Sequence, residues 1–375
     1  MKRAVIVSGD LVRTGGMDMA NFALARHLAN RGVHVHVVAH RIDPELATLS
    51  DIKWHRVPKP LNSYVLGAPL LDHMGRRVAR QGSAPDSRVV VNGGNCEIGD
   101  VNWVHYVHAA YPPQYGASLS SALRGRIARH LHLKQERAVL RMSRLVIANS
   151  ERTRNDLQSL LGIDGERIRT VYYGIDAERF APPSEPRRQQ SRDLFGWPNR
   201  PQVAFVGALG DRRKGFDTLY DAWATLCRTP SWDADLVVVG HGAELPAWKS
   251  RASTDGLEDR IRFLGFRSDV PDILAACDAL VAPTRYEAFG LGVLEALCIG
   301  LPAIVSADAG VAERYPHQLQ GLLLQDPNSV SELVARLDGW RERAADLRRV
   351  TLQLSVNLRE RTWETMATEI GALLQ

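Results

Sequence analysis

Long apolar runs are missing from this chain. No stretch reaches the roughly 18–20 consecutive apolar residues that span a bilayer, so no transmembrane helix is expected. Cysteine is scarce, with four residues, at 96, 227, 277 and 298, among 375. They form no CxxC pair and no metal-ligand spacing, and they are too few to staple a chain of this size, so buried, reduced thiols in a cytoplasmic protein are expected. Lysine is scarce as well: of 47 basic residues 41 are arginine, and 42 acids leave a net charge of +5. That excess fits phosphate-bearing ligands, nucleic acid or an anionic membrane without choosing among them. At the start, only the four apolar residues Ala4–Val7 separate Lys2-Arg3 from Ser8-Gly9-Asp10. A signal peptide needs a longer core, so a first strand is expected there. GxGxxG is also missing. Gly9 with Gly15-Gly16 does not match it, and Gly240-His241-Gly242 lacks the third glycine, which argues against a nicotinamide dehydrogenase.

What is present is alternation. Ala4–Val7, Val33–Ala39, Arg88–Val91, Trp103–Val107 and Leu145–Ala148 read as strands. Between them stand helical patterns, one carrying Phe22, Ala25, Leu28 and Ala29 on one side and a long one over about 119–142. The segment 181–201 is polar and Pro-rich and reads as a linker. Alternation then restarts with Val203–Val206, Asp235–Val239, Ile261–Leu264, Ala279–Ala282 and Ala303–Val305. Continuous apolar strands joined by helices predict α/β domains, each a doubly wound parallel sheet covered on both faces. Two in tandem predict a ligand in the cleft between them, at the carboxyl ends of the strands.

The most informative stretch is Ala282–Ala296, which leaves a strand and opens a helix. On a single helix Glu287 and Glu295 would lie about 80° apart and two turns distant, a poor pair for one reacting atom. The better arrangement puts Glu287 in the loop and Glu295 in the first turns of the helix. Phe289, Gly290, Leu291 and Gly292 then present backbone N–H groups at a helix N-terminus, which suits an anion. A second element, Gly207–Asp217, also leaves a strand and precedes a helix. Its Arg212-Arg213-Lys214 opposes the helix dipole unless an anion neutralises it. A solvated basic loop is the alternative, and the strand-end position favours phosphate.

These stretches resemble the retaining, GT-B-fold glycosyltransferases of family 4. Glu287-x7-Glu295 enclosing Phe289-Gly290 is similar to the family's signature, and Arg213-Lys214-Gly215 to its diphosphate loop. Val239-Gly240-His241-Gly242 resembles its Val-Gly-x-Gly turn, and Arg262–Phe266 its nucleotide-base strand. Asn149-Ser150, Tyr173-Gly174-Ile175-Asp176 and Gly15-Gly16 resemble further landmarks, so the likeness covers nearly the whole chain. The resemblance implies two Rossmann-like domains: an acceptor-side domain over 1–180, rejoined by a last helix at about 357–375, and a donor domain over 202–356. It implies transfer of a sugar, with retention, from a UDP-sugar or GDP-mannose donor to a glycan or lipid-linked acceptor, as in bacterial surface-polysaccharide or lipopolysaccharide synthesis. Glu287 inherits the donor sugar, Glu295 the ribose, Arg213 and Lys214 the diphosphate, Gly16 a backbone contact to it, and Gly240 and Phe266 the base. No cofactor and no metal are expected, because cations and N–H groups aimed at the departing diphosphate stabilise its charge. One position departs. Many members carry Arg after the glycine matching Gly207, where this chain has Ala208, leaving Arg212 or Arg213 to supply that cation.

In the first domain, His105 and His108 would point to opposite faces of a strand, which argues against a metal pair. His108, at the strand end, matches a histidine that the family sets against the donor sugar; a bond to a loop carbonyl is the alternative. Residues 121–145 carry seven cations against the one acid Glu136. A basic amphipathic helix of this kind suits peripheral contact with an anionic membrane, and equally a packed helix with a solvated face. No reader motif for nucleic acid accompanies it. A nucleotide-sugar 2-epimerase of the same fold and a non-catalytic nucleotide-sugar-binding protein are the competing functions.

Overall fold

The computed structural model describes residues 1–81, 84–111 and 119–375. They fall into two units, Met1–Gly174 with Thr362–Gln375, and Ile175–Arg361.

Unit 1 is built on nine strands: β1 (Arg3–Val7), β2 (Asp10–Leu11), β3 (His34–Ala39), β4 (Arg41–Ile42), β5 (Ile52–Arg56), β6 (Ser87–Val91), β7 (Val101–Val104), β8 (Leu145–Ala148) and β9 (Ile168–Thr170). Seven form one sheet in the order β5-β3-β1-β6-β7-β8-β9, and β2 pairs with β4 separately. Every pairing is parallel, with Val5 of β1 set between His36 and Val89. Ala4–Val7 and Val101–Val104 are buried throughout, as strands covered on both faces must be. The helices are α1 (Gly16–Asn30), α2 (Pro44–Thr48), α3 (Tyr64–Arg80), α4 (Leu119–Met142) and α5 (Glu151–Leu161). Ser150 starts α5 by accepting the N–H of Thr153, and Gly162 ends it in the left-handed region.

Unit 2 holds β10 (Gln202–Val206), β11 (Asp235–Val239), β12 (Ile261–Gly265), β13 (Ala279–Ala282), β14 (Ala303–Ser306) and β15 (Leu323–Leu324), in the order β12-β11-β10-β13-β14-β15. Its helices are α6 (Glu185–Phe195), α7 (Phe216–Leu226), α8 (Leu245–Thr254), α9 (Val270–Ala276), α10 (Leu291–Ile299), α11 (Val330–Glu342) and α12 (Ala344–Arg359). The last helix, α13 (Trp363–Leu373), belongs to unit 1, where Trp363, Met366 and Ile370 are buried on the side that packs against α1.

Two expectations are corrected. The segment 181–201 is not a free linker: it contains α6, packed on α9 within unit 2. Pro186 lies in the first turn, where a missing N–H costs nothing, and Ser184 caps the start. Arg188 and Arg192 then anchor the helix on Asp278. The strand expected over Trp103–Val107 ends at Val104. The backbone beyond it turns, with the N–H of His108 taken by Glu136 Oε1 at 3.0 Å.

Candidate donor site

In both units the strand order reverses beside the first strand. The chain runs from β10 outward to β12 and returns with β13 on the other side of β10. Ligands of doubly wound sheets bind at that reversal, beyond the carboxyl ends of the strands. The loop after β10 carries Lys214 and the loop after β13 carries Glu287, 73 residues further on. Lys214 Nζ donates to Glu287 Oε2 at 2.7 Å, with side chains 28% and 22% exposed.

The two loops are locked together. Arg285 N donates to the Arg213 carbonyl at 2.7 Å. The Arg285 guanidinium grips Asp217 in two contacts, at 2.8 and 2.9 Å, and reaches the Arg212 carbonyl at 2.6 Å. Burial would raise the Asp217 carboxyl, but the bond to Arg285 holds it below its usual value. Gly215 is in the left-handed region, and a Cβ there would lie 1.9 Å from the Pro283 carbonyl oxygen, so only glycine fits. Sequence reasoning passed over Arg285 and Asp217. Both stand inside the quoted stretches, and the only signal was an acid following a glycine and a cation preceding Glu287.

The three loop cations are engaged with this chain's own acids. They form a short 3₁₀ turn that Gly215 ends before α7 begins, and do not sit in the first turn of α7 itself. Arg213 Nε meets both oxygens of Asp211 at 3.0 Å. Arg212 meets Asp217 at 3.2 Å and Glu244 at 3.8 Å. Ala208 is exposed beside them.

Glu287 lies in the loop, and the helix begins after Gly290. The loop is pinned from β14's side, with Val311 N donating to the Phe289 carbonyl at 2.6 Å and Gly310 N to the Glu287 carbonyl at 3.1 Å. Leu291 and Gly292 open α10, so their amides have no acceptor within it. A Cβ on Gly292 would meet nothing within 4 Å, so that side is open. Glu295 is half-buried one turn on. Burial pushes its carboxyl up to about 7, partly opposed by the charge of Arg179. Gly240 is a packing residue: its Cβ would lie 1.8 Å from the Gly207 carbonyl oxygen, and its N–H donates to the Gly265 carbonyl at 2.8 Å. Phe266, just past β12, is 82% exposed.

Gly16 and His108 lie in unit 1. Gly16 is the first residue of α1, after Gly15 at φ 87°. His108 is exposed on a loop whose backbone Glu136 holds. Burial pushes Glu136 up to about 7, while backbone N–H groups of His108 and Ala109 oppose the shift. The lone acid among seven cations is therefore the buried brace of the His108 loop. His105 turns inward, where burial pushes it down to about 3 and keeps the ring neutral. Asn92 Nδ2 donates to its Nε2 at 3.1 Å, its Nδ1 faces the Tyr173 hydroxyl, and Asn149 Nδ2 donates to its carbonyl at 3.2 Å. The Asn149 and Tyr173 landmarks thus converge on a histidine. In the basic stretch 121–145, Lys134, Arg137, Arg141 and Arg144 are exposed. Leu123, Arg124, Arg126, Ile127 and Leu131, part of the same expectation, lie outside the described side chains. Among the described residues no helix is long and apolar enough to cross a membrane. All four cysteines are free, three of them buried.

Comparison with known proteins agrees with this geometry. Residues 14–179 match the family described as Glycosyltransferase Family 4, and residues 200–339 match Glycosyl transferases group 1. The chain is 32% identical over 188 residues to the mannosylfructose-phosphate synthase of Agrobacterium fabrum, covering 48% of this chain and 41% of that protein. It is 37% identical over 147 residues to the lipopolysaccharide core biosynthesis mannosyltransferase LpsB of Rhizobium meliloti, covering 37% and 40%. The chain thus spans less than half the length of these relatives. Among solved structures, sucrose-phosphate synthase from Thermosynechococcus elongatus superposes with a TM-score of 0.78 at 21% identity, covering 100% of this chain and 98% of that one. WaaG, a glycosyltransferase involved in lipopolysaccharide biosynthesis, gives 0.75 at 20%, covering 100% and 99%. Anabaena HepE in complex with UDP-glucose gives 0.72 at 20%, covering 99% of each. With both halves matched and Lys214 set against Glu287 where the second sheet reverses, the chain belongs to the group 1, family 4 glycosyltransferases and has their GT-B fold.

Proposed function

We propose that this protein is a retaining hexosyltransferase that moves a sugar from a nucleotide-diphosphate donor to a glycan or lipid-linked acceptor of a cell-surface polysaccharide. The observation that carries the reading is the Lys214–Glu287 contact, 2.7 Å, beside the open N-terminus of α10. An ammonium, unsatisfied amides and a carboxylate in one loop pair are the groups a departing diphosphate and its sugar need. Negative charge grows on the diphosphate as the glycosidic bond breaks. Lys214 and the amides of Leu291 and Gly292 are placed to stabilise it, without a metal. Glu287 positions the donor sugar, and Glu295 takes the ribose hydroxyls. Phe266, 82% exposed, suits stacking on a base. UDP-glucose in HepE and the mannosyl products of the curated relatives make UDP-glucose and GDP-mannose the first donors to try.

The test is release of nucleoside diphosphate from each donor, in EDTA, with and without surface glycan as acceptor. Release from one donor, raised by acceptor and abolished in Glu287→Ala while the bare diphosphate still binds, is expected. The anomeric configuration of the product, read by NMR, checks retention. Turnover of neither donor, or a product epimerised at C2 and still joined to its nucleotide, overturns the reading.

A further inference from the structure

The helix α4 carries an acid where its pattern asks for an apolar residue. Val139 lies in one core cluster with Val91 and Cys96, and Leu140 in another with Val104 and Val107. Glu136 stands three and four residues before them and shares their side of the helix. It is 1% exposed. The segment after β6 closes over it, since a Cβ on Gly94 would lie 3.4 Å from the Glu136 amide nitrogen. A carboxylate in such a place is costly unless something meets it. The neighbouring cations Lys134, Arg137, Arg141 and Arg144 are exposed, on the solvent side of the same stretch.

What the carboxyl meets is backbone. Oε1 accepts the N–H of His108 at 3.0 Å, a contact that ties α4 to the loop leaving β7. Oε2 is buried and meets no donor. A proton arriving at Oε2 therefore displaces nothing, and Oε1 stays against the His108 N–H. The bond then changes from charge-assisted to neutral, which roughly halves its strength. Burial pushes the carboxyl up to about 7, against the N–H groups of His108 and Ala109 and the charge of Arg137. Those are the groups that face it from the loop and from α4. The segment after β6 brings the backbone of Gly94 and no charge.

We propose that Glu136 is a positioning residue for His108: ionised, it draws the loop backbone onto α4 and sets the imidazole for transfer, and on taking up a proton it loosens that hold. This rests on the glycosyl-transfer reading above, with His108 set against the donor sugar, and it adds a regulation of that site. The ionised fraction grows with pH, so the hold on the loop, and turnover with it, rises as pH climbs through the window in which the carboxyl ionises. A carboxyl that only satisfied a loop amide would serve no better than a carboxamide at any pH, and that difference decides the test.

Glu136→Gln keeps the size of the side chain and cannot ionise. The full chain is labelled with 15N-histidine, and the His108 amide is assigned by its loss in His108→Gln. In the wild type its proton should move downfield as pH rises, with a midpoint of about 7. In Glu136→Gln that step should vanish. Turnover is followed over the same range, with whichever donor and acceptor the release assay identifies. The difference between a charge-assisted and a neutral hydrogen bond corresponds to about fivefold. Wild type should therefore exceed Glu136→Gln about fivefold in kcat at pH 8 and equal it at pH 5.5, with KM for the donor within about twofold throughout. A step of equal size in both chains, or a variant as far below wild type at pH 5.5 as at pH 8, would overturn the proposal. So would a variant that does not fold at pH 5.5, where a neutral carboxyl and a carboxamide should behave alike. The amide measurement needs no turnover. If it succeeds and no donor is consumed, the glycosyl-transfer reading fails and the proton-linked hold on the loop stands. If turnover follows one pH profile in both chains, the transfer reading stands and the positioning role of Glu136 falls.

Discussion

Lys214→Ala separates the two roles of the contact at the switch point. In the free protein Lys214 holds Glu287 at 2.7 Å, and each side chain is about three-quarters buried, being 28% and 22% exposed. A fully buried pair costs about 3–5 kcal/mol when one partner is removed, and a surface pair about 0–1. This pair lies between, so a stability loss of about 1–2 kcal/mol is expected. The binding effect is separate. A hydrogen bond to a charged group contributes about 1.5–3 kcal/mol, which is roughly 10- to 150-fold in Kd. Calorimetry should therefore show UDP or GDP weakened by that factor in Lys214→Ala, with the bare nucleoside unchanged. Glu287→Gln gives the contrast. It keeps the shape and removes the carboxylate that competes with phosphate for the ammonium, so diphosphate affinity should hold or rise while turnover collapses. If both variants lose diphosphate affinity by the same factor, the pair is a structural brace and Lys214 is not a phosphate ligand. If nucleoside affinity falls with it, the loop has collapsed and the assignment fails.

Glu295→Gln should be more stable than wild type above pH 7 and equal to it near pH 4. The folded carboxyl is raised from 4.5 to about 7, so the ionised form is disfavoured and its cost grows as pH rises through that window, to at most about 3 kcal/mol; denaturation midpoints at pH 4, 6 and 8 check the sign. Arg285→Lys should lower diphosphate affinity without touching the ligand, because one ammonium cannot make the paired contacts at 2.8 and 2.9 Å that hold the basic loop on Asp217. A melting temperature and a Kd that both stay at wild-type values would refute it. Asp211→Asn should tighten diphosphate binding several-fold if Arg213 is a phosphate ligand, since it loosens the grip that now occupies the guanidinium; unchanged affinity in calorimetry would make Arg213 a loop brace.

Most strands that sequence reasoning located stand inside a sheet, where apolar content runs unbroken; the edge strand β12, buried only at Ile261, was found from Ile261, Phe263 and Leu264. Leu236–Val239 and Ala303–Val305 are fully or almost fully buried, and both fell within expected strands. β5 went unread because Ile52-Lys53-Trp54-His55-Arg56 is an edge strand with one neighbour, and its outer positions tolerate charge. The helix at Glu185–Phe195 was hidden by Pro186, which breaks a helix interior but fits its first turn. Site residues divide in the same way. Glu287, Lys214 and Gly290 were legible because loop, glycine and charge are local properties. What closes the site is not local. Arg285 reaches back 68 residues to Asp217, and nothing in the order of residues says that Arg213 faces Asp211 and Lys214 faces Glu287. A charged or glycine-rich motif announces itself in sequence because it departs from average composition. A contact between residues far apart in the chain departs from nothing until the chain has folded, which is why the charged, glycine-rich loops of Lys214 and Glu287 stood out in this sequence and the Arg285–Asp217 grip that joins them did not.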